Sequence, residues 1–205
     1  KLLFNCRVIP NRGSWLDLEY DVKDYLYFKI DRKKKIFAST LLMALGFTKP
    51  EIADEFYDKE IYTFDTKSQK WKTKFNPENY KAKNFSEEVV DYKTGKVVIK
   101  LGEKVNYLTA KKLSSDGLKD ILVSQESLYG KYLHKNVKVN DEEDGTFEIG
   151  TELNDTIIKQ ILASNTFSIE ISITNSINKG PYLLNTILND KNNNKDDAIT
   201  EIYKV

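Results

Sequence analysis

Residues 7–35 read RVIPNRGSWLDLEYDVKDYLYFKIDRKKK, and this stretch decides how the first part of the chain folds. Polar and apolar residues alternate in residues 15–20, the pattern of a half-buried strand, and residues 25–30 (YLYFKI) form a second run rich in aromatic and apolar residues. Turn-forming residues, NRGS and DVKD, precede each of them. The pattern therefore predicts a β-hairpin over residues 15–30, with an earlier strand over residues 2–9 that ends at Pro10.

Two short helices are predicted to follow, over residues 38–45 and about 49–57. Gly46 can end the first helix, and TKPE (residues 48–51) is a capping box with proline in the first turn of the second. Such a pair also fits a DNA-reading helix-turn-helix. However, the second helix carries several acidic residues, which phosphates would repel. We therefore predict a structural helix hairpin.

The middle of the chain contains two similar stretches. Residues 102–106 (GEKVN) match residues 150–154 (GTELN) at an offset of 48, and apolar positions match at the same offset. GKYL at residues 130–133 matches GPYL at residues 180–183. The similarity predicts two copies of a small β-α-β module. The expected bounds are residues 84–133 and 134–183 for the copies, 109–116 and 155–163 for their helices, and 119–123 and 167–173 for their closing strands.

The 205 residues contain one cysteine and one histidine, which excludes an internal disulfide framework and a zinc finger or ribbon. Phosphate-binding glycine loops and nucleophile–base pairs are also missing from the sequence. We expect His134 to be a surface imidazole and Cys6 to be a buried, inert thiol. Residues 141–144 (DEED) lack the ligand spacing of an EF-hand, so a solvated acidic turn is expected there. No catalytic or metal-binding residue is predicted.

The net charge of +1 hides an asymmetry, because residues 1–35 carry nine Lys/Arg against five Asp/Glu and include every arginine of the chain. A tryptophan beside basic residues can stack on an unpaired base while lysine and arginine attract phosphates. Alternatively, the tryptophan is a core anchor and the basic run a solvated hairpin end. The candidate nucleic-acid-binding residues, at the two sequence ends of the hairpin, are Trp15, Arg12, Asp31, Arg32, Lys33, Lys34 and Lys35.

The same residues resemble the β subunit of bacterial DNA-directed RNA polymerase, whose pattern is RIIPxRGSWLxFEFDxKD followed by RIDRRRK. The helix pair up to residue 57 fits the continuation, and GPYL (180–183) and EIYK (201–204) are similar to the family's GPYI and EIYR. The chain departs from the pattern at Lys33 and Lys34, where the family commonly has arginine. These lysines keep the charge but lose the planar fork of arginine.

The resemblance implies an α+β fold in two parts. Residues 1–58 and 180–205 would belong to the lobe domain, a wall of the DNA cleft built here from a β-hairpin and a short helix pair. Residues 59–179 would be a lineage-specific insertion containing the two β-α-β repeats, similar to β-β′ modules. The resemblance also implies that Trp15 stacks on a base of the non-template strand near the downstream duplex. Asp31 and Arg32 would then lie beside that strand, with Arg12 orienting the loop.

The resemblance further implies the partners and the chemistry of the whole enzyme. The expected partners are promoter and downstream DNA with its non-template strand, the other polymerase subunits and sigma factor, with transcription regulators possible on the insertion. The complex is a nucleotidyltransferase whose Mg²⁺ is expected on another subunit, so this chain is expected to hold no catalytic centre and no cofactor. The alternative is a regulator-binding interaction module with no direct nucleic-acid contact. The near balance of acidic and basic residues in the insertion gives no electrostatic reason for it to bind DNA.

The absence of an initiator methionine and the apolar residues at both ends favour a piece of a longer cytoplasmic chain. No apolar run approaches the ~20 residues that a membrane helix needs, so no membrane partner is expected.

Overall fold

The structure is a computed structural model that describes residues 4–79, 83–84, 88–100, 102–139, 145–175 and 179–204. It has a mixed α+β fold with antiparallel sheets, which confirms the predicted fold class at that level. The acidic stretch at residues 141–144 and the first residues of the strand predicted over residues 2–9 lie outside the described residues. Those two expectations stay predictions.

Over the described ranges the strands are β1 (Asn5–Val8), β2 (Leu16–Tyr20), β3 (Leu26–Ile30), β4 (Ile36–Phe37), β5 (Lys59–Asp65), β6 (Lys70–Lys74), β7 (Lys83–Asn84), β8 (Val89–Asp91), β9 (Val97–Ile99), β10 (Lys104–Val105), β11 (Asp120–Val123), β12 (Tyr132–Leu133), β13 (Val137–Lys138), β14 (Thr146–Phe147) and β15 (Ser168–Ser172). The helices are α1 (Ala38–Ala44), α2 (Lys49–Phe56), α3 (Tyr107–Ser115), α4 (Asp155–Ala163), α5 (Tyr182–Asn189) and α6 (Lys195–Tyr203).

The first four strands form an antiparallel sheet in the order β1-β2-β3-β4, and the predicted hairpin over residues 15–30 is confirmed. Its register places Leu18 opposite Phe28 and Phe28 opposite Ile36. Phe28 and Ile36 are buried on the side of the sheet that α1 and α5 cover. Because side chains alternate along a strand, the outer face of this sheet carries the polar residues between them.

The helix pair begins and ends within about one residue of its predicted bounds. The Thr48 hydroxyl accepts a hydrogen bond from the Glu51 N–H at 3.4 Å, and the Glu51 carboxylate accepts one from the Thr48 N–H at 2.7 Å. This is the predicted capping box. Ile52 and Ala53 of α2 are buried with residues of α5 and α6 in one core cluster.

A seven-stranded antiparallel sheet, in the order β12-β15-β5-β6-β11-β8-β9, occupies the middle of the chain. Trp71, Ile121 and Ile161 are fully buried in a second core cluster that α3 and α4 complete. The members of that cluster lie between residues 62 and 171. The cluster containing Ile52 instead draws its residues from the two ends of the chain, with Ile149 added.

The match between residues 102–106 and 150–154 has a physical basis, because both stretches start a helix in the same way. The side chain of Asn106 accepts a hydrogen bond from the Thr109 N–H at 2.8 Å, and that of Asn154 accepts one from the Ile157 N–H at 2.9 Å. A helix and a strand follow in both places, α3-β11 and α4-β15. The two closing strands belong to one sheet, and the duplication of a β-α-β module stays a prediction.

The second match, between residues 130–133 and 180–183, is not structural equivalence. Tyr132 lies in strand β12, whereas Tyr182 begins helix α5. None of the described helices combines the length and apolarity needed to cross a bilayer.

The prediction that His134 is a surface imidazole is wrong, because its side chain is fully buried. Its Nδ1 lies 2.8 Å from the Ser172 hydroxyl and its Nε2 3.0 Å from an Asp54 carboxylate oxygen. Lys59 donates to the same carboxylate at 2.8 Å. The hydrogen bond from Lys59, with His134 next in importance, lowers the pKa of Asp54 to about 2. The histidine thus ties α2 to β15.

The prediction that Cys6 is buried is also wrong, since this residue is exposed. It lies on β1, the edge strand of its sheet, whose four residues are all exposed. An apolar alternation predicts that one face of a strand is suited to burial, but it does not tell whether anything covers that face.

Candidate nucleic-acid interface

The open end of the β2–β3 hairpin brings Trp15 and Asp31 together. Leu16 pairs with Ile30, and the next residues outward exchange two hydrogen bonds. The Asp31 N–H donates to the Trp15 carbonyl oxygen at 3.0 Å, and the Trp15 N–H donates to an Asp31 carboxylate oxygen at 2.8 Å. A hydrogen bond from the Ser14 side chain, followed by this one from the Trp15 backbone, lowers the pKa of Asp31. Asp31 therefore fixes the backbone from which the indole projects.

A tight turn follows Asp31 and directs Arg32 toward the same tryptophan. Asp31 and Arg32 have φ values of +48° and +62°, and the Lys33 N–H donates to the Ile30 carbonyl oxygen at 3.0 Å. Two central residues with positive φ are the signature of a type I′ turn. The Arg32 guanidinium carbon lies 5.9 Å from the centroid of the Trp15 ring.

Trp15 is partly open to solvent, with 41% of its surface exposed. A core anchor would be buried like Trp71, which is fully inaccessible. The alternative interpretation of Trp15 as a core anchor therefore does not fit this position. An exposed indole held beside a guanidinium is suited to stacking on a planar group.

Sequence reasoning did not name Tyr27 or Arg7, and Arg7 lies directly against Trp15. Its guanidinium carbon lies 5.2 Å from the centroid of the Trp15 ring, and its guanidinium forms an ion pair with Asp17. Arg12, which the sequence placed beside Trp15, lies in the exposed bend at residues 11–13. Charge composition does not tell that Arg7 reaches the indole, because its position depends on the register of β1 on β2.

All three lysines of the basic run are exposed. Lys35 also contacts an aromatic ring, since its ammonium nitrogen lies 4.4 Å from the centroid of the Tyr27 ring. Tyr27 stacks on Phe37 with centroids 4.8 Å apart.

The outer side of the four-stranded sheet thus combines cations with aromatic rings, and we call it the basic–aromatic surface. Its members are Arg7, Trp15, Tyr27, Arg32 and Lys35. Such a surface can attract anions and stack on planar groups, but it carries no pair of groups arranged for proton transfer or nucleophilic attack. Across the described ranges no group of three or more His, Cys, Asp or Glu residues could hold a metal ion.

Comparison with known proteins identifies the family. No family model matches the chain. The chain is 41% identical over 205 residues to the DNA-directed RNA polymerase subunit beta of Rhizobium leguminosarum bv. trifolii. It is 38% identical over the same length to the corresponding subunits of Rickettsia felis and Rickettsia massiliae.

The chain belongs to the family of DNA-directed RNA polymerase β subunits.

The resemblance found in residues 7–57 and 180–204 is confirmed, and it extends further than those motifs. Each of these β-subunit alignments covers 100% of this chain, so residues 59–179 are also represented in these relatives. The chain spans about 15% of the length of the polymerase β subunits that it matches.

Proposed function

We propose that this part of the β subunit helps RNA polymerase to hold DNA during transcription, with the basic–aromatic surface facing the non-template strand. The observation that carries this proposal is Trp15, which is partly exposed and braced by Arg32 at an ordered hairpin end. Stacking of an unpaired base on the indole and attraction of phosphates by Lys33 and Lys34 would provide the contact.

The remaining expectations for the whole enzyme form part of this proposal. Nucleotidyl transfer takes place in the assembled complex, with the other subunits and sigma factor as partners and Mg²⁺ bound by another subunit. The complex works in the cytoplasm. This chain contributes to the position of the DNA and not to the bond-forming step. Residues 1–58 and 180–205 form the DNA-facing lobe in this proposal.

Replacing Trp15 with alanine in assembled polymerase is expected to shorten the lifetime of promoter complexes. Loss of one stacked base removes about 1–3 kcal/mol, which corresponds to roughly a 5- to 150-fold faster dissociation. Dissociation can be followed after addition of a DNA competitor. Phe47→Ala is a matched control, because Phe47 is a similarly exposed aromatic residue (43%) in the connection between α1 and α2. An unchanged lifetime in Trp15→Ala would mean that the indole does not contact DNA.

We also propose that residues 59–179 are a surface insertion, available to regulators, and not part of the DNA-holding wall. This is supported by the position of its two ends. The Tyr57 hydroxyl donates to the Gly180 carbonyl oxygen at 2.8 Å, and Lys179 donates to Asp58 at 2.8 Å. A segment whose ends lie together can be inserted into a domain without disturbing it.

Deleting residues 59–179 and joining residues 58 and 180 through a short glycine-rich linker is expected to leave assembly of the polymerase intact. The core of α1, α2, α5 and α6 would lose Ile149, and Asp54 would lose its hydrogen bonds to Lys59 and His134, so some loss of thermal stability is expected as well. Assembly can be measured by copurification of the other subunits with the shortened β subunit. Loss of assembly would show that the segment belongs to the enzyme's structural framework.

A further inference from the structure

Arg7 is held in one orientation by the strand opposite it. The pairing of β1 with β2 places Arg7 directly across from Asp17, and opposed residues of an antiparallel pair have neighbouring side chains. Two guanidinium nitrogens of Arg7, Nε and Nη2, donate to the two carboxylate oxygens of Asp17, the second of them at 3.0 Å. A two-point contact of this kind fixes the plane of the guanidinium as well as its position.

The guanidinium fixed in this way lies against the indole. Its central carbon is 5.2 Å from the centroid of the Trp15 ring, closer than that of Arg32 at 5.9 Å. Arg32 lies in the turn after β3 and Arg7 lies in β1, so two separate elements each place a guanidinium against the Trp15 ring. Contacts of this type stabilise an aromatic ring at an exposed site modestly but with a defined geometry.

The charge of Arg7 is already paired with a carboxylate of the same chain, at the surface. The hydrogen bond with Asp17 raises the pKa of Arg7, and the same hydrogen bond is the main reason that the pKa of Asp17 is lowered. Arg32 and Lys29 act on the Asp17 carboxylate in the same direction. A guanidinium bound to its own carboxylate adds little attraction for phosphate, in contrast to the exposed Lys33 and Lys34.

We propose that Arg7 is a positioning residue for Trp15. Asp17 fixes the plane of the Arg7 guanidinium, and the guanidinium orients the indole before a base stacks on it. The inference rests on the proposed function of Trp15. It assigns to Arg7 a geometric role and not a contact with the DNA backbone.

A double-mutant cycle in assembled polymerase tests the proposal. The four enzymes are wild type, Arg7→Gln, Trp15→Ala and the double variant, and the probe is premelted promoter DNA with 2-aminopurine in its non-template strand. The dissociation rate and the fluorescence of the probe are measured together. Arg7→Gln is expected to raise the dissociation rate about two- to five-fold and to reduce the quenching of 2-aminopurine. The double variant is expected to dissociate no faster than Trp15→Ala, because Arg7 acts through the indole.

The outcomes separate the two proposals. If Trp15→Ala has no effect, the proposed function of this surface is wrong. If Trp15→Ala has an effect but Arg7→Gln has none, only the role of Arg7 is wrong. If the two effects multiply in the double variant, Arg7 acts independently of the indole and the positioning role is overturned.

Salt dependence distinguishes positioning from phosphate binding. Each phosphate contact contributes about 0.7–0.9 to the slope of log affinity against log salt concentration. Lys33→Gln is expected to reduce this slope, whereas Arg7→Gln is expected to leave it unchanged. Arg7→Lys keeps the charge but loses the fork, so it is expected to resemble Arg7→Gln. The proposal would be contradicted if Arg7→Gln reduced the slope, or if Arg7→Lys kept the dissociation rate and the quenching of the wild type.

Discussion

Replacing Asp190 with alanine is expected to lower the free energy of unfolding by about 3 kcal/mol, because a buried carboxylate there satisfies several donors at once. Asp190 is 4% exposed and follows α5 directly. One carboxylate oxygen accepts from the hydroxyls of Ser39 and Thr40, which lie in the first turn of α1, the second of these at 2.8 Å. The other oxygen accepts from the Asn192 N–H at 2.9 Å. Alanine would leave the buried hydroxyls of Ser39 and Thr40 without this acceptor.

Hydrogen exchange of the α1 amides measures this loss directly, since it reports the local opening equilibrium. Asp196→Ala is the control, because Asp196 is an exposed acidic residue in the first turn of α6. The control is expected to change the free energy of opening, as derived from the exchange rates, by no more than about 0.5 kcal/mol. Equal protection in the two variants would show that Asp190 does not organise the start of α1.

Replacing Trp71 with alanine is expected to destabilise the seven-stranded sheet by about 3–5 kcal/mol. Trp71 is fully buried in the middle of the sheet and packs edge-on against Phe64, with centroids 5.3 Å apart. Its indole nitrogen has no hydrogen-bond partner within the described ranges. Trp71→Phe therefore loses volume but no hydrogen bond, and a cost of only about 1–2 kcal/mol is expected.

The chain has only two tryptophans, which provides the matched comparison. Trp15→Ala removes an indole of the same size from an exposed position and is expected to change stability by less than about 1 kcal/mol. Urea unfolding followed by far-ultraviolet circular dichroism measures all three variants without relying on tryptophan fluorescence. If Trp71→Ala and Trp15→Ala were equally stable, Trp71 would not be a core residue.

Local signals in the sequence predicted the local structure well. Alternation in residues 15–20 and the apolar run in residues 25–30 predicted the hairpin, and Thr48 and Glu51 predicted the start of α2. Each of these signals lies within a few residues of the structure that it specifies. The physical cause is short-range hydrogen bonding, which needs no knowledge of the rest of the fold.

Contacts between distant parts of the chain could not be predicted in this way. The buried state of His134 depends on Asp54 and Ser172, which are 80 and 38 positions away. The contact between Arg7 and Trp15 depends on the pairing register of β1 with β2, and register is set by the whole sheet. For the candidate site, the sequence therefore indicated the tryptophan and the basic run but not the arginine that lies nearest to the indole.

The turn at Asp31 and Arg32 places two residues that carry side chains where glycine would be free of strain. A left-handed backbone disfavours arginine by about 1–2 kcal/mol and aspartate less, because the short aspartate side chain can form local hydrogen bonds. Here both side chains contact Trp15. The turn is therefore a point of local frustration, where stability of the fold is given up for a side-chain arrangement. Glycine at both positions would relieve the backbone but would remove the carboxylate and the guanidinium that contact Trp15, so the turn exchanges backbone stability for two side-chain contacts.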